Sequence, residues 1–262
     1  RGARWRALAA RLWVPVCATL LLVGPLLGIL AWRMEAGVLR EEARSAFEEV
    51  VAQRARAVEE ALLAFEEVLH STRAFYLASE EVTRDEFSTF AAEALARHPE
   101  ILALEWAPQV DEADRSAFEA RVRGEGLDGF RMRRATPAGG FEPAPAEGLH
   151  YPVLYVEPLA GNEDVLGLDL AAEEARLGAV ERAVASGSAA ISDPIDLVQG
   201  RRSDPGALLL LPVHGRPGGA GRPGARVRGL LLVVFRLEDL LLPPPPGRPP
   251  GRPPGHSTGT PR

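Results

Sequence analysis

"HYPVLYVEPLAGNEDVLGLDL" (His150–Leu170) is the stretch whose reading sets the fold. An aromatic-rich apolar run leads through Pro158, Gly161 and Asn162 into a second apolar run, which ends on Asp169 just before a helix-like segment. Apolar runs on either side of a tight turn predict core strands. Tyr151 and Tyr155 give the first run polar tips, so the segment is expected to serve as sheet and as one wall of a pocket, with Tyr151 or Tyr155 facing the cavity. Asp169 is expected to cap the helix that follows.

Working outward, the pattern on both sides alternates helix and strand. "TRDEFSTFAAEALARHPE" reads as an amphipathic helix with Thr83 as N-cap, Glu86 three residues on, and Pro99 closing it. "ILALEWAP" (Ile101–Pro108) is a strand, "DEADRSAFEARVRGEG" a helix, "GFRMRR" (Gly129–Arg134) a strand and "YPVLYVEP" another. "AAEEARLGAVERAVASG" (Ala171–Gly187) is a helix with Gly187 at its C-cap, and "SAAISDPIDLVQ", "ALLLLPV" and "GLLLVVF" add three strands. Six strands with interspersed helices predict an α+β domain, a PAS-like antiparallel sheet with flanking helices. The Gly/Pro/Arg-rich run between the last two strands is expected to be a mobile loop. The proline-rich residues 243–262 are expected to be an extended, disordered tail.

Upstream, Leu12–Trp32 contains no charged residue, and 21 helical residues would span about 31 Å, the thickness of a bilayer's hydrocarbon layer. Trp13 and Trp32 stand near the ends, and bulky Trp32 and Arg33 argue against signal-peptide cleavage, so an uncleaved transmembrane helix is expected. Arginines 1, 4, 6 and 11 precede the segment, which leans towards a cytoplasmic N-terminus (residues 1–11). Residues 33–79 read as one stalk helix in which Val51, Val58 and Phe65, and likewise Leu62, Leu69 and Tyr76, repeat every seven residues. That stripe serves either pairing with a second copy of the chain or packing on the chain's own domain, with pairing favoured near the membrane.

The chain has 262 residues, 46% of them hydrophobic, with 30 basic against 36 acidic side chains. That composition folds, and without a basic patch interleaved with aromatics it excludes nucleic-acid binding. Cys17, the single cysteine, lies in the apolar run and excludes an intrachain disulfide. The five histidines show no metal-ligand spacing, and no glycine-rich phosphate loop follows a strand. No catalytic constellation, cofactor or metal is therefore expected. Trp106, Tyr151, Tyr155 and Phe235 fall on or beside strands, and Ser192 places a hydroxyl inside "AAISDPI"; these five are the candidate ligand-binding residues. Each also has a plainer role, the aromatics as core and Ser192 as the opener of the "SDP" turn.

"EVTRDEFSTFAAEAL", "HPEILALEWAPQV", "HYPVLYVEPLAGNEDVLGLDL", "ERAVASGSAAISDPIDLVQ" and "GLLLVVFRLEDLL", in this order, resemble the CHASE domain, the extracytoplasmic sensor module of bacterial receptors and plant cytokinin-receptor histidine kinases. The resemblance spans about residues 70–242, with "WAP", "YPV", "GLD" and "SDPI" its most specific pieces. It implies a long stalk helix followed by two PAS-like subdomains, with residues 80–242 as the membrane-distal one, which holds a small ligand outside the cytoplasm in a homodimer held through the stalk. It also implies a cytoplasmic N-terminus, inner-membrane anchoring, and a histidine kinase or nucleotide cyclase effector beyond the point where this chain stops. In cytokinin-binding members a hydroxyl residue and an acidic residue contact the ligand. Ser192 falls at the first position; the second falls near Glu157–Pro158, with proline in the best-matching column, which speaks against adenine-type ligands. The competing expectation is an anchored dimeric scaffold with no small ligand, whose interior behind Trp106 and Tyr151 is filled by side chains.

Overall fold

The computed structural model describes residues 2–136, 140–197, 205–215 and 226–241, with side chains between residues 2 and 46 described only in part. The transmembrane expectation at 12–32, with Trp13 and Cys17, falls mostly on side chains outside the described residues. So do most of the loop between the last two strands and the whole of the proline-rich tail. Among the described residues, no helix is long and apolar enough to cross a membrane.

Helix α1 runs from Gly2 to Ala78, and the chain divides into two compact units, Arg1–Arg56 and Ala57–Arg262. In the first unit Leu21, Leu22, Val23, Leu27, Trp32, Phe47, Val50 and Val51 are exposed. The second unit contains the end of α1 and the α+β domain.

Helix α2 (Arg84–Arg97) starts with the reciprocal capping box expected from Thr83 and Glu86: the Glu86 amide donates to Thr83 Oγ1, and the Thr83 amide donates to the Glu86 carboxylate at 2.9 Å. The Thr83 amide and hydroxyl both donate to the Glu86 carboxylate and hold its carboxyl below the ordinary range. After β1 (Ile101–Pro108) come β2 (Val110–Asp111), α3 (Arg115–Gly124), β3 (Arg133–Ala135), β4 (Phe141–Pro143), β5 (Leu149–His150) and β6 (Tyr155–Glu157). Then follow α4 (Glu174–Ser186), β7 (Ala190–Ile191), β8 (Ile195–Asp196), β9 (Pro205–His214), β10 (Val227–Arg236) and α5 (Leu237–Leu241). Gly187 closes α4 in the left-handed conformation, at φ 69°.

The main sheet is antiparallel, in the order β6-β1-β10-β9-β7, with β8 pairing beside β7 on β9. Strands β9 and β10 are almost continuously apolar because both faces of the sheet are covered. Strand alternation sends Leu104, Trp106, Leu209, Leu211, Leu231, Val233 and Phe235 to one face, where they meet Phe65, Leu69 and Tyr76 of α1 and Phe87 of α2. Ala103, Ala107, Leu208, Leu210, Leu230, Leu232 and Val234 go to the other, where they meet Ala179, Val180 and Ala183 of α4 and Val153, Leu168 and Leu170. Burial of each large aliphatic or aromatic side chain contributes about 1.5–3 kcal/mol.

Three expectations are corrected. The strand expected over Gly129–Arg134 forms only at Arg133–Ala135. The segment 151–158 is not one strand: Pro152 has no amide hydrogen, and the amides of Val153 and Leu154 turn in different directions, to Leu168 O at 2.9 Å and Trp106 O at 2.8 Å. The "SAAISDPIDLVQ" strand divides into the short β7 and β8 around Pro194. The lower part of the seven-residue stripe, Phe65, Leu69 and Tyr76, packs on the chain's own sheet.

Candidate functional site

The two faces differ in chemistry. On the α1 side, aromatic rings fill the layer: Tyr76 lies 4.3 Å from Trp106 between centroids, Phe87 lies 5.6 Å from Tyr155, and Phe65 lies 5.1 Å from Phe235. Trp106 and Tyr155 are also cross-strand partners. Tyr155 donates to Val82 O at 3.2 Å, and Arg84 stacks over its ring. The buried Tyr76 hydroxyl has no hydrogen-bond partner among the described residues. Burial pushes its pKa well above the ordinary phenol range, and burial likewise raises that of Tyr155.

On the α4 side the layer is built from smaller side chains and carries buried charge. Alternation along β1 turns Glu105 to this face, between Ala103 and Ala107, and only 3% of its surface is exposed. In α4 the stripe at positions 176, 179, 180 and 183 faces the sheet, and its first member is Arg176, also 3% exposed. Arg176 Nη1 is paired with the Glu173 carboxylate, which in turn accepts from the Ala135 amide at 3.3 Å. Arg176 Nε has no hydrogen-bond partner among the described residues, and Nη1, although ion-paired with Glu173, makes no well-directed hydrogen bond. A buried donor left without a partner costs about 1–3 kcal/mol, so the position is primed for an acceptor.

Tyr151 belongs to this layer and donates to Gln109 Oε1 at 3.1 Å. Burial raises its pKa, with the Asp111 charge adding to the effect. Beside it, His150 is fully used: Nδ1 contacts Asp169 Oδ2 and Nε2 contacts Glu112 Oε2, each at 2.7 Å. Asp169 Oδ1 accepts from the amides of Tyr151 and Ala171. Asp169 therefore caps a short turn at Leu170–Ala172 rather than α4 itself, whose N-cap is Glu173. With both ring nitrogens committed, His150 has none to offer a substrate, and it joins the β2–β5 pair to the 169–172 turn.

The five residues expected to share a pocket are thus divided. Trp106, Tyr155 and Phe235 lie on the α1 side and Tyr151 on the α4 side, because the break after Val153 puts Leu154 and Tyr155 consecutively on one face. Ser192 sits at the sheet edge with its hydroxyl engaged: it accepts from the Leu208 amide at 3.0 Å and donates to Asp193 O at 2.8 Å. Sequence reasoning missed Glu105 and Arg176, although both interrupt apolar patterns, one in period two and the other in a helical stripe.

The CHASE domain family model matches residues 80–243, more than half of the chain. This chain belongs to the CHASE domain family. CHASE domains are extracellular sensor modules of receptors and not catalytic domains. Among solved structures, this CHASE chain is similar to an extracellular ligand binding receptor from Desulfohalobium retbaense DSM5692, at 13% identity and TM-score 0.41, covering 71% of this chain and 25% of that one. It is also similar to "Methyl-accepting Chemotaxis protein X", at 13% identity and TM-score 0.33, covering 77% of this chain and 62% of that one. The chain spans less than two thirds of the length of each. No curated protein matches.

Proposed function

We propose that this chain is the small-molecule-sensing part of a membrane-anchored receptor, with its ligand held in the α4-side layer of the CHASE domain. The observation that carries the reading is two charged side chains, Glu105 and Arg176, each more than nine-tenths buried in one largely apolar layer. Small-molecule sites have this make-up: apolar walls with a few placed polar groups. Tyr151 belongs to the site in this reading. Trp106, Tyr155 and Phe235 join the sheet to α1, and Ser192 holds the sheet edge.

The exposed Leu21, Leu22, Val23, Leu27 and Trp32 support a membrane anchor over residues 12–32. Exposed Phe47, Val50 and Val51 support pairing of two copies along the stalk, residues 33–79, with the sensor domain at 80–242. A kinase or cyclase effector completes the receptor. Binding drives signalling only through an affinity difference between two packings of the paired helices; about 1.4 kcal/mol shifts their ratio tenfold.

The test is a thermal-shift screen of the purified chain against fractionated small metabolites. A ligand at a hundred times its dissociation constant adds about 2.7 kcal/mol of stability. Arg176→Gln should weaken the response. No response from any fraction would favour the scaffold reading.

A further inference from the structure

The orphan edge of Arg176 specifies a ligand class. We infer that the α4-side site takes a small organic monoanion or zwitterion, whose carboxylate docks on the Nε side of the Arg176 guanidinium. This rests on the reading of that layer as the ligand site. The arginine occupies a stripe position that the next three members, Ala179, Val180 and Ala183, fill with apolar side chains. A charge so placed needs compensation from a counter-charge. Glu173 supplies part of it, but only at Nη1. A guanidinium has separate donor edges in a fixed fork, and Nε belongs to the side edge, turned away from Nη1.

Nε–H can only donate, so its partner must be an acceptor. Arginine stays protonated, so an anionic acceptor is favoured over a neutral one. A carboxylate matches the fork with two parallel bonds, which a single point acceptor cannot do. Arg176 Nε leaves room for one carboxylate; a second carboxylate would be buried without a counter-charge, which disfavours a dianion.

The full chain in detergent micelles is titrated with butyrate, benzoate and phenylalanine, with their amides, and with succinate, and melting is followed. One or more of the monocarboxylates should raise the midpoint by about 5 °C at saturation, and its amide should not. Succinate should bind more weakly than the best of them. Arg176→Gln should weaken carboxylate binding by about tenfold or more; Arg176→Lys, which keeps the charge and loses the fork, should fall between. Glu173→Gln should leave carboxylate binding intact or tighter, because it removes a competing anion; if Arg176→Gln does not fold, Arg176→Lys and Glu173→Gln decide. Equal response to acids and amides, or unchanged binding in folded Arg176→Gln, overturns the inference. Response to neutral metabolites with none to carboxylates overturns the anion assignment and leaves the ligand site standing, whereas silence towards both removes both.

Discussion

Arg228 Nη1 on β10 donates to the carbonyl oxygen of Tyr76 in the last turn of α1, at 3.3 Å. Nη2 of the same side chain reaches Glu80 O at 3.4 Å. The register of β10 shifts between Val227 and Gly229, and this irregularity lets Arg228 turn towards α1 instead of alternating away from it. A cation on the end of a helix also meets the negative end of its dipole. The sheet therefore grips the helix at its terminus as well as along its apolar stripe.

Replacing Arg228 with Met should retain the aliphatic stem and lose the grip. We expect a loss of about 1 kcal/mol, seen as a melting temperature about 2–4 °C lower. An unchanged midpoint would mean that the terminal carbonyls are equally well served by water.

His150 holds two carboxylates at once, one of them, Asp169, only 1% exposed. His150→Ala would leave Asp169 buried beside a void, at a cost of about 3 kcal/mol or more in urea denaturation. Glu112→Gln should cost much less, because that side chain is 35% exposed and water replaces the lost contact. Equal effects would contradict the assignment of Asp169 as the buried partner.

All three tyrosines of the chain, Tyr76, Tyr151 and Tyr155, have pKa values raised chiefly by burial. In the unfolded chain they lose their protons near pH 10. A proton bound more tightly in the folded state stabilises it fully below that pH and less as pH rises towards the folded values. Stability should therefore decline above about pH 10, and phenolate absorbance should emerge in step with unfolding, not before it. Phenolate formation at about pH 10 with native circular dichroism would refute the packing described for these rings.

Gly229 lies under Trp106. A Cβ added there would sit 2.5 Å from Ala107 O and 2.6 Å from the Trp106 ring. Gly229→Ala should cost about 1–3 kcal/mol and shift the near-ultraviolet signal of Trp106, since the indole has to give way against Tyr76.

Much of this arrangement was legible in the chain. The capping box of Thr83 and Glu86, the Gly187 cap, and the three long strands all follow from local pattern, and local pattern is what made them. The break between Tyr151 and Tyr155 was not legible, because it depends on backbone partners at Trp106 and Leu168, far away in sequence. Four residues apart on one strand they would share a face; the extra residue at the break separates them. Arg176 was obscured for another reason. In "EEARLGAVERAVAS" charged residues surround the helix, and only the position of the sheet shows which one is turned inward.

Glu105 and Trp106 are neighbours on β1, one turned to α4 and the other resting on Tyr76 of α1. Two layers that share no side chain are joined here by a single peptide unit. A backbone shift at this peptide unit displaces both side chains. The shortest mechanical link between the two layers is therefore one peptide unit of backbone.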